Sequence, residues 1–424
     1  MSQLPTATSL AGRIFRHTIS RLAADSLGPP MRTLIVSDLH LGSLTRTDVL
    51  RRPELREPLL AELKGVDRVV LLGDVLELRH GPVRDALANS REFFEALGAA
   101  MSQGEVVITS GNHDHALVEP WLIARGQELE PPGLDPEQLI EPAAASAALG
   151  RIAEWCSPAK VTVAYPGVWL REDVYATHGH YLDCHLTIPT LERLTMGAME
   201  RVLGKPPSSL RGASDYESIC APMYAWRDAV ARDERTGSAL NGIATVTAWR
   251  ALRGEAAADS GSPDGVVMRP GYDERLRGHA RRLRTRALVT AFPLAVAALN
   301  RAGLGPLRSD ISGEELRRAG LEAMGQVADR LGLGSSYVVF GHTHRTGPLA
   351  GDDEGEWRSP GGARLLNSGS WVYVSVFASD TPAENPYWPG GCVIVEDEGP
   401  PRVKRLLQDF TRGEIRPPRR TPSI

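Results

Sequence analysis

Three runs, Thr33–Ser37 (T-L-I-V-S), Arg68–Leu72 (R-V-V-L-L) and Glu105–Thr109 (E-V-V-I-T), are rich in β-branched residues and lack polar alternation. That pattern predicts strands buried on both faces. Between them Asp48–Lys64 and Val83–Met101 have the length and apolar spacing of helices. The opening third therefore predicts β-α-β-α-β, an α/β arrangement with helical crossovers. Lys160–Ala164, Val168–Arg171 and Val174–Thr177 read as an antiparallel meander whose turns are Tyr165-Pro166-Gly167 and Glu172-Asp173. Strands are also expected at Tyr337–Phe340, Arg364–Asn367, Trp371–Val376 and Gly391–Glu396, giving a mixed sheet pair covered by helices.

Other segments break this pattern. Leu186–Ser336 is mostly helical in spacing, is interrupted by a Gly/Ser/Pro/Asp-rich stretch around Asp259–Gly265, and reads as an insertion. Residues 351–362 (G-D-D-E-G-E-W-R-S-P-G-G) and the tail read as exposed and poorly ordered. Arg13, Arg16 and Arg21 interrupt the apolar stretches of the first thirty residues, which suits a flexible or helical arm better than a secretory signal. The expected organisation is an arm (1–31), one domain built from 32–185 and 337–411, a helical insertion or cap (186–336) and a flexible tail (412–424).

A chain of 424 residues with 42% hydrophobic and 24% charged residues buries a core without disulfide or metal staples. Its 48 Lys plus Arg against 52 Asp plus Glu leave a net charge of -4, and aromatics make up 6%. Neither supports bulk attraction to nucleic acid or a stacking groove, so no nucleic-acid partner is expected. Cys156, Cys184, Cys220 and Cys392 lie too far apart for a zinc ribbon, and a reducing cytoplasm is the simpler expectation. No apolar stretch reaches the roughly 18 to 20 residues of a membrane-spanning helix.

The chemistry lies at the ends of the strands. Asp38 and His40 follow the first (S-D-L-H-L-G), where a two-residue step along an extended backbone puts both side chains on one side. Asp74 follows the second (L-L-G-D-V-L-E), and Asn112, His113 and Asp114 follow the third (S-G-N-H-D). His178 ends V-Y-A-T, while His342 and His344 end V-V-F. Each motif alone is unspecific; five in order, each after a strand, converge on one crevice. Glu77 and Asp183 suit orienting ligand imidazoles or, equally, surface or capping roles, and His180 and His185, which share a loop with His178, suit substrate-phosphate contacts or solvated positions.

The ordered set D-x-H, G-D, G-N-H-D, H and G-H-x-H, with Asn367-Ser368-Gly369-Ser370-Trp371 after it, resembles the calcineurin-like metallophosphoesterase family over about Arg32–Leu182 and Ser335–Glu396. The resemblance implies a four-layer α/β/β/α sandwich, here with a large, mostly helical insertion. It implies two divalent metal ions: Asp38, His40 and His344 around one, Asn112, His178 and His342 around the other, and Asp74 bridging. The donor types favour Mn first, with Fe or Zn next. The implied activity is hydrolysis of a phosphomonoester, phosphodiester or pyrophosphate by in-line attack of a metal-bridging hydroxide, with His113 as general acid and Asp114 holding its ring.

S-D-L-H-L-G-S, G-D-V-L-E-L and an insertion before G-H-T-H are also similar to the branch that cleaves UDP-2,3-diacylglucosamine. This chain departs from that branch at His113, where the branch has Arg, and at His178-Gly179-His180, where it has H-G-D. Arg275, Arg277, Arg281, Arg282, Arg284 and Arg286 precede the apolar Ala287–Leu299, which suits peripheral contact with an anionic membrane or the faces of an ordinary helical cap. The alternatives are thus a lipid-linked or nucleotide-sugar pyrophosphatase at the membrane surface, and a metal-binding interaction module without catalysis. Oligomeric state is not legible.

Overall fold

The computed structural model describes residues 31–417 except 129–131, 233–292, 311, 376, 378 and 380, with the backbone alone at 226–232. The N-terminal arm, the Asp259–Gly265 stretch, the arginine run Arg275–Arg286 and the end of the tail lie outside the described residues.

Strands β1 (Thr33–Val36), β2 (Arg68–Leu72) and β3 (Glu105–Thr109) pair in parallel, joined by the helices Pro53–Glu62 and Val83–Ala100. On their left β10 (Gly391–Val395) and β11 (Arg402–Arg405) add antiparallel. On their right comes β5 (Lys160–Arg171), edged by β4 (Glu137–Ile140). β6 (Val174–Thr177), β7 (Tyr337–Phe340), β9 (Arg364–Ser368) and β8 (Thr346–Gly347) continue from β5 in that order.

Alternation of side chains along the strands sorts the apolar residues into three layers. Ile35, Val70, Leu72, Val107, Val174, Ala176, Val339, Leu366 and Val393 form one cluster, to which strands of both halves contribute, so the two halves face each other. Their neighbours Leu34, Val69, Val106 and Ile394 turn the other way, onto Phe93, Leu97, Leu149 and Ile152 of one helical layer. Tyr175, Val338, Phe340 and Leu365 turn outward onto Met196, Tyr216, Ile219, Met324 and Val327. The order is helix, sheet, sheet, helix: the four-layer sandwich. The second helical layer comes from Leu191–Leu203, Ala213–Arg232 and Gly313–Arg330, all within 186–336. A further helix covers 293–301. None of the described helices is long and apolar enough to cross a membrane.

Four local expectations need correction. Tyr165-Pro166-Gly167 is not a turn. Lys160–Arg171 is one strand that pairs with β3 at its start and with β6 from Gly167 on, carrying one continuous eleven-stranded sheet from its first half to its second. Pro166 sits at a register shift opposite Glu137, where its missing N–H interrupts no regular ladder. The described part of Trp371–Val376 is not a strand either. Val372 makes one isolated bridge to Asp48, and the Trp371 indole donates to the Gly391 carbonyl at 3.0 Å. Most of 351–362 is exposed as expected, but it is not loose: Trp357 is buried beneath the Arg345 guanidinium, 5.3 Å from its ring, and anchors the loop. The tail opens with a helical turn, Arg412–Ile415, closed by a Thr411/Glu414 capping box and pinned by buried Ile415.

Candidate metal centre

The three parallel strands, β6 and β7 all deliver their C-terminal ends to one place, and the polar residues singled out above meet there. Carboxylate and imidazole atoms of Asp38, His40 and His344 lie within 4.8 Å of one another, as do those of Asp74, His178 and His342, and those of His40, Asp74 and His113. Asp74 Oδ2 stands between the first two groups, 3.7 Å from His40 Nε2 and 3.4 Å from His178 Nε2. Asn112 Oδ1 lies 3.2 Å from His178 Nε2 and 3.1 Å from His342 Nδ1.

The backbone is bent to achieve this. Six described residues other than glycine have positive φ, and five are Asp38, His40, Asp74, His342 and His344, at 45° to 64°. Left-handed backbone is uncommon for side-chain-bearing residues and gathers at functional sites. Asp38 and His40 therefore do not sit on an extended segment. Left-handed turns aim both of them at the crevice while Leu39 between them stays in the core.

His178, His342 and His40 each have one ring nitrogen held and the other presented. His178 Nδ1 donates to the Leu72 carbonyl at 3.0 Å, leaving Nε2 towards Asp74 and Asn112. His342 Nε2 donates to Asp183 Oδ1 at 3.0 Å, leaving Nδ1 inward. His40 Nδ1 donates to Glu77 Oε2 at 3.0 Å, and its buried Nε2 has no hydrogen-bond partner. Asp38 commits Oδ2 to the Ser37 hydroxyl and the His342 N–H, while its buried Oδ1 is left facing His344 Nε2 at 3.2 Å. As oriented, the Asn112 oxygen meets only lone pairs. Carboxylate and imidazole atoms gathered this closely, with buried Asp38 Oδ1 and His40 Nε2 left without hydrogen-bond partners, suit a cation, so the residues present fit divalent metal ions. Glu77 and Asp183 hold ligand-type rings from behind, and so take the first of the two roles their spacing left open.

The charge distribution agrees. Burial alone would lower the pKa of His178, but Asp74 and Asp38 outweigh it and lift it to about 10. Glu77, Asp74 and Asp38 likewise overcome burial at His40 and lift it to about 9. A field that holds protons this firmly favours any cation.

His113 is placed differently from the expectation. Its ring is held by Glu77, whose carboxylate oxygens lie 2.9 and 3.0 Å from Nδ1, and not by Asp114. Asp114 is fully buried and accepts the backbone N–H groups of Gly111 and Val75 at 2.7 Å and of Asp74 and Leu76 at 3.3 Å. Those amides at the strand ends would otherwise be unpaired, and a carboxylate that serves them has no reach left for a ring. The sequence reading missed Arg79: Nη1 lies 2.8 Å from His113 Nε2, and Nη2 donates to the Asn112 carbonyl at 2.8 Å. Burial first, then the Arg79 charge, push His113 down to about 4 against the pull of Glu77 and Asp74. His180 and His185 are buried; His185 Nε2 meets the Tyr216 hydroxyl at 2.6 Å.

Compared with known protein families, residues 31–211 match the model of the calcineurin-like phosphoesterases. His342 and His344 lie beyond the match and reach the centre through β7. No curated protein matches the chain.

Proposed function

We propose that this chain, a metallophosphoesterase hydrolase by the calcineurin-like phosphoesterase domain matched at residues 31–211, uses two divalent cations to hydrolyse a small or lipid-borne phosphate ester. In this reading Asp38, His40 and His344 hold one cation, Asn112, His178 and His342 the other, and Asp74 is shared. The observation that carries it is the meeting of two carboxylate and imidazole groups at the strand ends, Asp38, His40 and His344 and Asp74, His178 and His342, each with its ligand atoms within 4.8 Å of one another, with the Asn112 amide against His178 and His342 of the second. Carboxylate, imidazole and amide donors without thiolate favour Mn, then Fe or Zn. When bound, such a pair polarises a phosphoryl group, neutralises its charge and acidifies water.

The side chains around it divide the remaining work. Glu77 fixes the His113 ring with Nδ1 protonated, so Nε2 is the nitrogen that exchanges a proton with substrate. Arg79 covers that nitrogen. An arriving phosphate draws the guanidinium into a charge-assisted fork, which uncovers Nε2; with that repelling charge withdrawn, Nε2 takes up a proton from solvent and passes it to the leaving oxygen. Asp114 acts on this step only through the backbone it holds. The sandwich of 32–185 and 337–411 forms the catalytic body, and the helices Leu191–Leu203, Ala213–Arg232 and Gly313–Arg330 cover its second half.

The test is hydrolysis of bis(p-nitrophenyl) phosphate and p-nitrophenyl phosphate by metal-stripped protein refilled with Mn, Zn or Fe, against an Asp74→Asn control. Metal-dependent turnover of either ester is expected. Turnover no faster than the control with every metal overturns the reading.

A further inference from the structure

Glu217 lies on the helix Ala213–Arg232, beyond the residues matched to the family. It is 8% exposed, and its carboxylate takes three hydrogen bonds: from His115 Nε2 at 2.7 Å, the Tyr165 hydroxyl at 2.7 Å and the Tyr181 hydroxyl at 2.9 Å. A carboxylate is costly to bury unless its oxygens are paired, and here three donors satisfy it. The partners are not scattered. His115 opens the turn His115–Leu117 directly after Gly111-Asn112-His113-Asp114. Tyr181 belongs to the turn His180–Cys184 directly after His178 and Gly179. Tyr165 stands on β5, where that strand passes from the first half of the sheet to the second.

The same helix grips the second turn twice more. Tyr216 stacks on Tyr181 at 4.8 Å and 9°, and its hydroxyl meets His185 Nε2. Asp183, inside that turn, holds His342 Nε2 at 3.0 Å. All three members of one ligand group are therefore reached from this helix: Asn112 through His115, His178 through Tyr181, and His342 through Asp183. The other group is held differently. The side chains of Asp38 and His40 bond to Ser37, the His342 N–H and Glu77, at the strand ends themselves.

We propose that Glu217 is a positioning residue for one cation of the pair, the one facing Asn112, His178 and His342, so that the helix Ala213–Arg232 sets the affinity of that site and not of its neighbour. The inference rests on the two-cation reading above. Ligand imidazoles and amides bind well only when held from behind, and loss of such support costs about 10- to 100-fold in metal affinity. Glu217→Gln keeps the shape but turns an amide N–H2 towards groups that are themselves donors.

The experiment titrates metal-stripped full-length protein with Mn2+, counting free ion by electron paramagnetic resonance, and repeats the titration with Co2+ followed by its visible absorption. Wild-type protein is expected to take up two cations. Glu217→Gln is expected to keep one at wild-type affinity and bind the other about 10- to 100-fold more weakly, with an altered Co2+ band for that site alone. Tyr181→Phe, which keeps the stack on Tyr216 and removes one hydrogen bond, is expected to weaken the same site by a smaller factor, and it decides the matter if Glu217→Gln does not fold. Two cations bound as in wild type, or both weakened equally, overturns the inference while the two-cation reading stands. Fewer than two cations in wild-type protein overturns both.

Discussion

Nη1 of Arg79 lies 2.8 Å from Nε2 of His113, so the guanidinium occupies the nitrogen through which the ring would meet a substrate. The contact makes Nε2 an acceptor and helps hold His113 down to about 4, after burial. Replacing Arg79 with Met removes a repelling charge, so the His113 pKa is expected to rise, read by NMR titration of the ring in metal-free protein. Hydrolysis is expected to fall about 10-fold or more, because a substrate phosphate loses its charged fork. Unchanged titration of His113 would show that the contact has no electrostatic consequence.

Gly111 gives a second prediction. A Cβ there would stand 2.3 Å from Asp74 Oδ1 and 2.7 Å from His178 Nε2, closer than such contacts ever come. Gly111→Ala must therefore displace two candidate ligands while leaving the core untouched. Metal affinity is expected to fall by about 100-fold with far-ultraviolet circular dichroism unchanged. Gly126→Ala, at the end of the helix Glu119–Gly126 with nothing near its Cβ position, is the control and should bind metal normally. Equal metal binding by the two variants would mean that Asp74 and His178 are not ligands.

These residues also show what a sequence reveals and what it hides. The parallel strands were legible because apolar β-branched runs have few other uses, and the candidate centre was legible because its residues follow those strands within a few positions. The crossing of β5 was not, since Tyr165-Pro166-Gly167 has turn chemistry and only the pairing on both sides shows a strand. The partner of His113 was misread because adjacency in sequence favoured Asp114, whereas Glu77 reaches the ring through space. Arg79 and Glu217 carry no local signal. Each matters through a contact across the fold, to residues 34 and 102 positions away respectively. The left-handed backbone at five candidate ligands was equally invisible, although Asp and His tolerate it better than most residues.

Removing metal should cost stability. The candidate ligands run from Asp38 to His344 and meet only in the folded chain, so cations bind the folded state alone. A ligand at about 100 times its dissociation constant adds about 2.7 kcal/mol. Thermal unfolding is expected several degrees lower in chelator than in Mn2+, with a midpoint that climbs as Mn2+ is added. A midpoint independent of both would contradict a cation site formed on folding.

His185 supplies a prediction away from the chemistry. Burial first, then repulsion from Arg330 and Arg193, lower it from 6.5 to about 3, so the folded protein keeps the ring neutral. Its contribution to stability is present above the unfolded value near 6.5. Below it the unfolded chain takes up a proton that the folded chain refuses, and stability falls by about 1.4 kcal/mol per pH unit until the folded value is reached. Asp48 works in the opposite direction, because burial lifts its carboxyl to about 6 against the charge of Arg51. That group is the same in any His185 variant, so a comparison cancels it. Between pH 7.5 and pH 5, wild-type protein should lose about 2 kcal/mol more stability in urea than His185→Gln, even though the variant is weaker at pH 7.5 for want of its bond to Tyr216. Parallel pH profiles for the two proteins would mean that His185 takes up a proton in the folded state as readily as in the unfolded one.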